Sequence, residues 1–297
     1  MEIRKRKGNA VDRHLSYEHC NLCPRKCGVN RSRGELGFCG QDDRIRVALT
    51  MLHHWEEPEL SGEAGSGAVF FTGCTLRCVY CQNHAISYAR SDKGKTYNPE
   101  ELSEAFLKLQ EQGALNVNLI TAAMHMPHVL TALDHARSNG LHIPVVYNSS
   151  GYESPELLKE LEGYIDIYLP DLKYLSADLA AAFSGAPDYP EVAMKAIDEM
   201  VRQTTTIVRH LVLPGHVKES KRVLSYLHDT YGNRVKVSIM SQYTPVLEVM
   251  NTGYPELNRR ITKREYERVI DHALKIGIEN AYIQDRMVAK ESFIPDF

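Results

Sequence analysis

Seven cysteines gathered into two tight groups constrain this chain more than any other feature of it. Cys20, Cys23, Cys27 and Cys39 lie in CNLCPRKCGVNRSRGELGFCG, and Cys74, Cys78 and Cys81 in GCTLRCVYCQN. An odd number of cysteines in such groups argues against a disulfide framework and for metal ligation in a reducing compartment. The second group follows Ala68-Val69-Phe70-Phe71, an apolar run that reads as a buried strand. Three thiolates from one loop can hold three irons of a cubane cluster and leave the fourth iron without a protein ligand, which a structural zinc site rarely needs. The first group sits among Pro24, Gly28, Gly34, Gly37 and Gly40, a turn-rich stretch too short for its own core, and reads as a metal-stabilised knuckle. Its spacing fits a fully ligated iron–sulfur cluster and a structural zinc site equally.

The remainder alternates strands and helices. Strands are expected at Ile45 to His54, at the run before Cys74, and at Val117 to Thr121, Ile143 to Tyr147, Ile165 to Leu169, Thr206 to Leu213 and Val235 to Met240. Tyr282-Ile283 is a possible last strand. Helices are expected from Asn98-Pro99, over Pro127 to Ser138, from Ser154-Pro155, and over Tyr189 to Gln203, Lys218 to Thr230 and Thr262 to Lys275. Six strands interleaved with helices imply a parallel sheet, closed part-way as a barrel or open as a doubly wound sheet. In either, ligands sit at the C-terminal ends of the strands, where the Cys74 loop also falls.

With 35 basic against 38 acidic residues the charge is -3, which offers no general nucleic-acid surface. The basic opening MEIRKRKG reads as a solvated tail. No apolar run is long enough to span a membrane and no secretion signal opens the chain, so a cytoplasmic protein is expected.

Gly73 before the first cysteine, Tyr80 before the last and the C-x3-C-x2-C spacing resemble the signature of the radical S-adenosylmethionine (SAM) superfamily. CNLCPRKCGVNR, YNSSGY, DIYLPDLKY, RHLVLPG and MSQY extend the likeness over nearly the whole chain, to a branch related to pyruvate formate-lyase activating enzyme. The resemblance implies an α/β fold, a partial (β/α)6 TIM-like barrel over residues 63–297, preceded by a cysteine-rich metal-binding segment over 1–62. It implies a [4Fe-4S] cluster on Cys74, Cys78 and Cys81, with SAM on the open iron. Reduction would break the sulfonium to methionine and a 5'-deoxyadenosyl radical, which takes hydrogen from a glycine of a partner enzyme or from a small metabolite. A one-electron donor such as flavodoxin or ferredoxin is then required. A non-catalytic zinc or iron–sulfur protein is the alternative from another class.

By the same resemblance Tyr80 packs on adenine, and Asn83, Thr121, Asn148, Ser150, Asp171, Lys173, Arg209 and Gln242 contact SAM. His125 and Tyr243 are the candidates for substrate. Thr121-Ala122-Ala123 replaces the usual glycine-glycine-glutamate, Asn148 replaces an aspartate, and the segment between Gln203 and Arg209 is short. His210 is expected to be structural, and His84 a cap or surface residue.

Overall fold

A computed structural model describes residues 15–88, 93–246 and 253–284; the opening MEIRKRKG lies outside them. In chain order come β1 (Ile45–His53), α1 (Pro58–Ser61), β2 (Ser66–Phe71), α2 (His84–Ser87), β3 (Lys95–Tyr97), α3 (Pro99–Glu111), β4 (Val117–Ile120) and α4 (Met126–Ser138). There follow β5 (Val145–Ser149), α5 (Pro155–Glu160), β6 (Ile167–Pro170), α6 (Ala177–Ser184), α7 (Tyr189–Gln203), β7 (Thr205–Leu211), α8 (Val217–Tyr231), β8 (Lys236–Met240), α9 (Lys263–Ile276) and β9 (Ala281–Ile283).

Four of the described helices begin where a side chain satisfies a first-turn amide. Asn98 and Glu101 form a reciprocal capping box at α3, Thr262 and Glu265 another at α9, and Ser154 and Ser176 accept from the amides of Leu157 and Leu179. Each long helix then buries one stripe. Leu102, Phe106 and Leu109 of α3 pack with Val117, Leu119, Val145 and Tyr147 on the outer face of the sheet. A fully buried side chain of this size contributes about 2 kcal/mol.

The strands form one nine-stranded sheet in the order β3-β1-β2-β4-β5-β6-β7-β8-β9. From β2 onward all pairs are parallel, with Ala68 opposite Asn118, Asn118 opposite Val146 and Val146 opposite Ile167. Among the described residues the edges β3 and β9 do not pair, so the barrel is partial, as expected from the sequence. The six expected parallel strands are present and β9 adds a seventh. Short elements, α1, β3 and α6 among them, escaped the sequence reading. β3 has only three residues, and α6 is an alanine-rich helix of about two turns with little polar contrast between its faces. β1 pairs antiparallel with β2 from Val47–Phe71 to His53–Ser66, so the sheet crosses the expected boundary at residue 62. The cysteine knuckle itself ends before β1.

What positions the site is the concave side of the sheet. Side chains two apart on a strand share a face. Leu60 of α1 packs against Val146, Leu169 and Ile207, the inward residues of β5, β6 and β7, and stoppers the lumen. One step nearer the C-terminal strand ends, the same three rows present Asn148, Asp171 and Arg209.

Candidate functional site

The loop after β2 turns tightly. Arg77 takes a left-handed conformation with φ of 59°, which costs a non-glycine residue about 1 kcal/mol, and the Cys81 amide donates to the Cys78 carbonyl at 3.1 Å. The Leu76 amide donates to Cys74 Sγ at 3.4 Å and Ser87 Oγ to Cys81 Sγ at 3.4 Å, while Cys78 Sγ lies 2.9 Å from Ser184 Oγ. Burial, reinforced by the Cys74 and Cys78 sulfurs, pushes the Cys81 thiol up to about 12, and burial raises Cys78 as well. Only a strong cation makes thiolates of such a set.

All three sulfurs face a cavity of about 260 Å³ at the C-terminal end of the strands. Tyr80, Asn83, Thr121, Asn148, Ser150, Asp171, Lys173, Arg209 and Gln242 line the same cavity. Nine positions expected from the sequence are thus brought together with the three cysteines. Ser150 Oγ is buried there without a hydrogen-bond partner among the described residues, an orphaned polar atom that a polar ligand would satisfy. The residues present therefore fit a metal cluster and a charged organic ligand side by side.

Four charged groups organise the floor. Arg209 Nε donates to Asp171 Oδ1 at 3.0 Å and Nη2 to Asn148 Oδ1 at 2.6 Å, while Lys173 Nζ donates to Asp171 Oδ2 at 2.6 Å. Burial would raise the Asp171 carboxyl, yet Arg209 and Lys173 outweigh it and hold the group below the ordinary carboxylate range. The fourth is Glu56, whose Oε2 stands 3.6 Å from Arg209 Nη1 and whose Oε1 accepts from Asn148 Nδ2 at 3.4 Å. These contacts are long. Burial therefore prevails over Arg209 and the Glu56 carboxyl is raised; burial likewise pushes Glu57 up to about 7.

Glu56 and Glu57 were missed by sequence reasoning. Two acids before Pro58 look like solvated residues at a helix start. The signal was the apolar Leu60 that follows, since a short helix that buries Leu60 carries its N-terminus inward too.

Two expected substrate contacts are not at the cavity. His125 is fully buried, its ring 5.8 Å from Phe71 and its Nε2 3.4 Å from the Thr72 carbonyl, and burial lowers it to about 3, so it is neutral. The short turn Ala123–His125 carries it away from the mouth toward α4. Tyr243 is 1% exposed because its hydroxyl donates to the Leu257 carbonyl at 2.6 Å. Tyr80 faces the cavity with its hydroxyl bonded to that of Tyr174. His210 bonds the Leu172 carbonyl through Nδ1 at 2.8 Å, a structural position as expected, and His84 opens α2 stacked on Tyr88.

A buried acid outside the cavity sets a pH dependence. Glu153 accepts from Ser149 Oγ and, at 3.5 Å, from the Tyr147 hydroxyl, and burial pushes it from 4.5 up to about 7. A raised acid favours the fold fully below its unfolded pKa and loses that contribution as pH rises through the folded value. Stability is expected to fall between pH 4.5 and about 7 and then level, with Glu153 accounting for about 3 kcal/mol. Thermal melts at pH 5 and pH 8 check this: Glu153→Gln should narrow the gap between them, and an unchanged gap would contradict it.

A family model described as the radical SAM superfamily matches residues 68–227. An uncharacterized protein of Methanocaldococcus jannaschii is 31% identical over 272 residues, covering 90% of this chain and 77% of that one. Pyruvate formate-lyase-activating enzyme of Clostridium pasteurianum is 23% identical over 226 residues, covering 71% of this chain and 90% of that one. Among solved structures, Streptococcus suis SuiB bound to S-adenosylmethionine aligns with a TM-score of 0.52 at 14% identity over 71% of this chain and 48% of its own. SuiB bound to the precursor peptide SuiA aligns at 0.51 with 13% identity, over 71% and 46%. The chain spans about half the length of SuiB, and at these identities the likeness is one of fold. No helix among the described residues is long and apolar enough to cross a membrane.

Proposed function

The chain belongs to the radical SAM superfamily, and on that premise we propose that its cavity binds a [4Fe-4S] cluster and SAM side by side and carries out reductive SAM cleavage. The observation that carries the reading is the shared cavity: three cysteines of one loop and a buried Asp171–Lys173–Arg209–Glu56 group line it together. Cys74, Cys78 and Cys81 would hold three irons through thiolates. Lys173 and Arg209 offer cations to the carboxylate of SAM, and Glu56 and Asp171 offer carboxylates to its ammonium. Asn148 fixes the Arg209 guanidinium, and Ser150 Oγ awaits a polar partner. Phe70, Leu76, Ile86 and Met240 complete the walls and keep water from the reacting end. When bound, the cluster supplies one electron and SAM the carbon–sulfur bond whose cleavage begins hydrogen abstraction.

The substrate is proposed to be a peptide or protein backbone. The activating enzyme among the relatives and the peptide-bound SuiB among the structural neighbours support that class, with a glycine of a partner enzyme as the donor. Incubation with SAM, dithionite and a glycyl-radical enzyme should give a glycine-centred signal in electron paramagnetic resonance. If 5'-deoxyadenosine accumulates with no such signal, a small metabolite or amino acid takes the place of the glycine. The four N-terminal cysteines are proposed as a second metal site.

A further inference from the structure

We propose that Cys20, Cys23, Cys27 and Cys39 hold a second iron–sulfur cluster, charge-balanced by Arg31, that passes single electrons to the Cys74–Cys78–Cys81 loop. The electron path rests on the reading above, that this loop holds a reducible cluster; the second site itself does not.

The charge of the knuckle is the first observation. Arg31 is 0% exposed, its Nε and Nη2 donate to the Asp42 carbonyl at 3.1 and 2.5 Å, and its Nη1 lies 3.8 Å from Cys20 Sγ. Among the described residues no carboxylate pairs with it, because the Asp42 carboxylate is taken by Arg44 at 2.7 Å and Arg46 at 2.6 Å. A guanidinium so deeply buried needs an anion; the Tyr17 ring covers it at 4.7 Å, and the sulfurs that act on it are those of Cys20 and Cys39. Neutral thiols would not serve. Thiolates on a metal would, since four of them outweigh the charge of a zinc ion or of a cubane core.

The form of the site is the second. A Cβ at Gly37 would lie 3.3 Å from Cys27 Sγ and 3.4 Å from Cys39 Sγ, so the backbone runs flush against two sulfurs. Among the described residues no three sulfurs close around a point as ligands of one ion do. A cubane spreads its four irons and takes ligands set further apart.

The third is the contact between the two cysteine loops. A Cβ on Gly73, the residue before Cys74, would lie 2.7 Å from the Cys39 carbonyl oxygen, and Thr72 Oγ1 donates to Gln41 Oε1 at 3.1 Å. Arg25, between Cys23 and Cys27, donates through Nε to the Thr75 carbonyl at 2.9 Å and through Nη1 to that of Gly185 at 2.8 Å. The backbone of Cys39 thus packs against the residue that precedes Cys74, one peptide unit from a ligand of the other site. Cys27 is exposed, so a carrier can reach the knuckle to deliver the electron. In the step, one electron leaves a low-potential carrier of the flavodoxin or ferredoxin class, which is oxidised, and reaches the Cys74 loop; no atom or proton moves.

The test uses anaerobically reconstituted full-length protein with iron, acid-labile sulfide and zinc counted. A variant with Cys74, Cys78 and Cys81 all replaced by alanine should keep a sulfide-bearing cluster that dithionite reduces, read by electron paramagnetic resonance; zinc without sulfide would overturn the proposal. If that variant fails to fold, the Cys20→Ala/Cys39→Ala protein gives the same answer by difference, as a loss of iron and sulfide from wild type. Arg31→Met should shift the potential of the knuckle cluster to more negative values and Arg31→Lys should restore it, whereas an unmoved potential would remove Arg31 from the account. Stopped-flow absorbance then follows reduction of the Cys74-loop cluster in the Cys20→Ala/Cys39→Ala protein. Loss of reduction by flavodoxin hydroquinone with dithionite reduction retained supports the path, and retention of both overturns it. Absence of SAM cleavage by a wild-type protein that keeps both clusters would count against the function proposed above and leave this site standing.

Discussion

Alanine at Cys74, Cys78 or Cys81 is expected to abolish reductive SAM cleavage and to remove one cluster's iron, about four atoms per chain. The three sulfurs face one cavity from a single loop, so no neighbouring cysteine can replace a lost one: the other four lie in the separate knuckle. The folded state should survive, because the same loop is held by the Cys81–Cys78 backbone turn, the Arg25–Thr75 bond and the buried Leu76. Circular dichroism close to wild type with no 5'-deoxyadenosine is the expected pair of results. Cleavage at the wild-type rate in any of the three variants would contradict the assignment.

Arg209→Met should be the most damaging single change at the floor. The guanidinium bonds Asp171 and Asn148 and faces Glu56, and its side chain is only 16% exposed. Without it Asp171 keeps Lys173, while Glu56 loses the cation that faces it among the described residues. Breaking a buried pair by removing one partner costs about 3–5 kcal/mol. Urea unfolding should register that loss, and SAM binding by equilibrium dialysis should weaken because the carboxylate end loses a two-pronged donor. Arg209→Lys keeps the charge without the planar fork, and should recover stability further than it recovers binding. Equal recovery of both would mean that Arg209 acts on SAM only through the fold.

The order of elements was legible because most parallel strands are short apolar runs set between turn residues, and helices such as those at Asn98, Ser154 and Thr262 begin at a side chain that caps them. The Tyr189–Gln203 helix was read to the residue, since proline follows its first position and Val192, Ala196, Ile197 and Met200 keep its period. The cavity residues at strand ends were legible for a similar reason: a polar residue directly after a buried strand has few places to go but the open end of the barrel. What the sequence did not disclose depends on which way a short segment folds. Nothing local tells that α1 enters the lumen, so Glu56 and Glu57 passed for solvated acids. Nor does spacing reveal that the Leu257 carbonyl captures the Tyr243 hydroxyl, or that the turn after β4 carries His125 behind β2. These are tertiary contacts between residues far apart in the chain, beyond the reach of periodicity.

The account stands or falls on one reaction. Protein reconstituted without oxygen, reduced with dithionite and given SAM should release 5'-deoxyadenosine and methionine in equal amounts, with neither formed when the reductant is omitted. If SAM binds to protein whose cavity cluster is shown to be reduced, and no 5'-deoxyadenosine appears with or without peptide and small-molecule donors, the proposed chemistry is wrong.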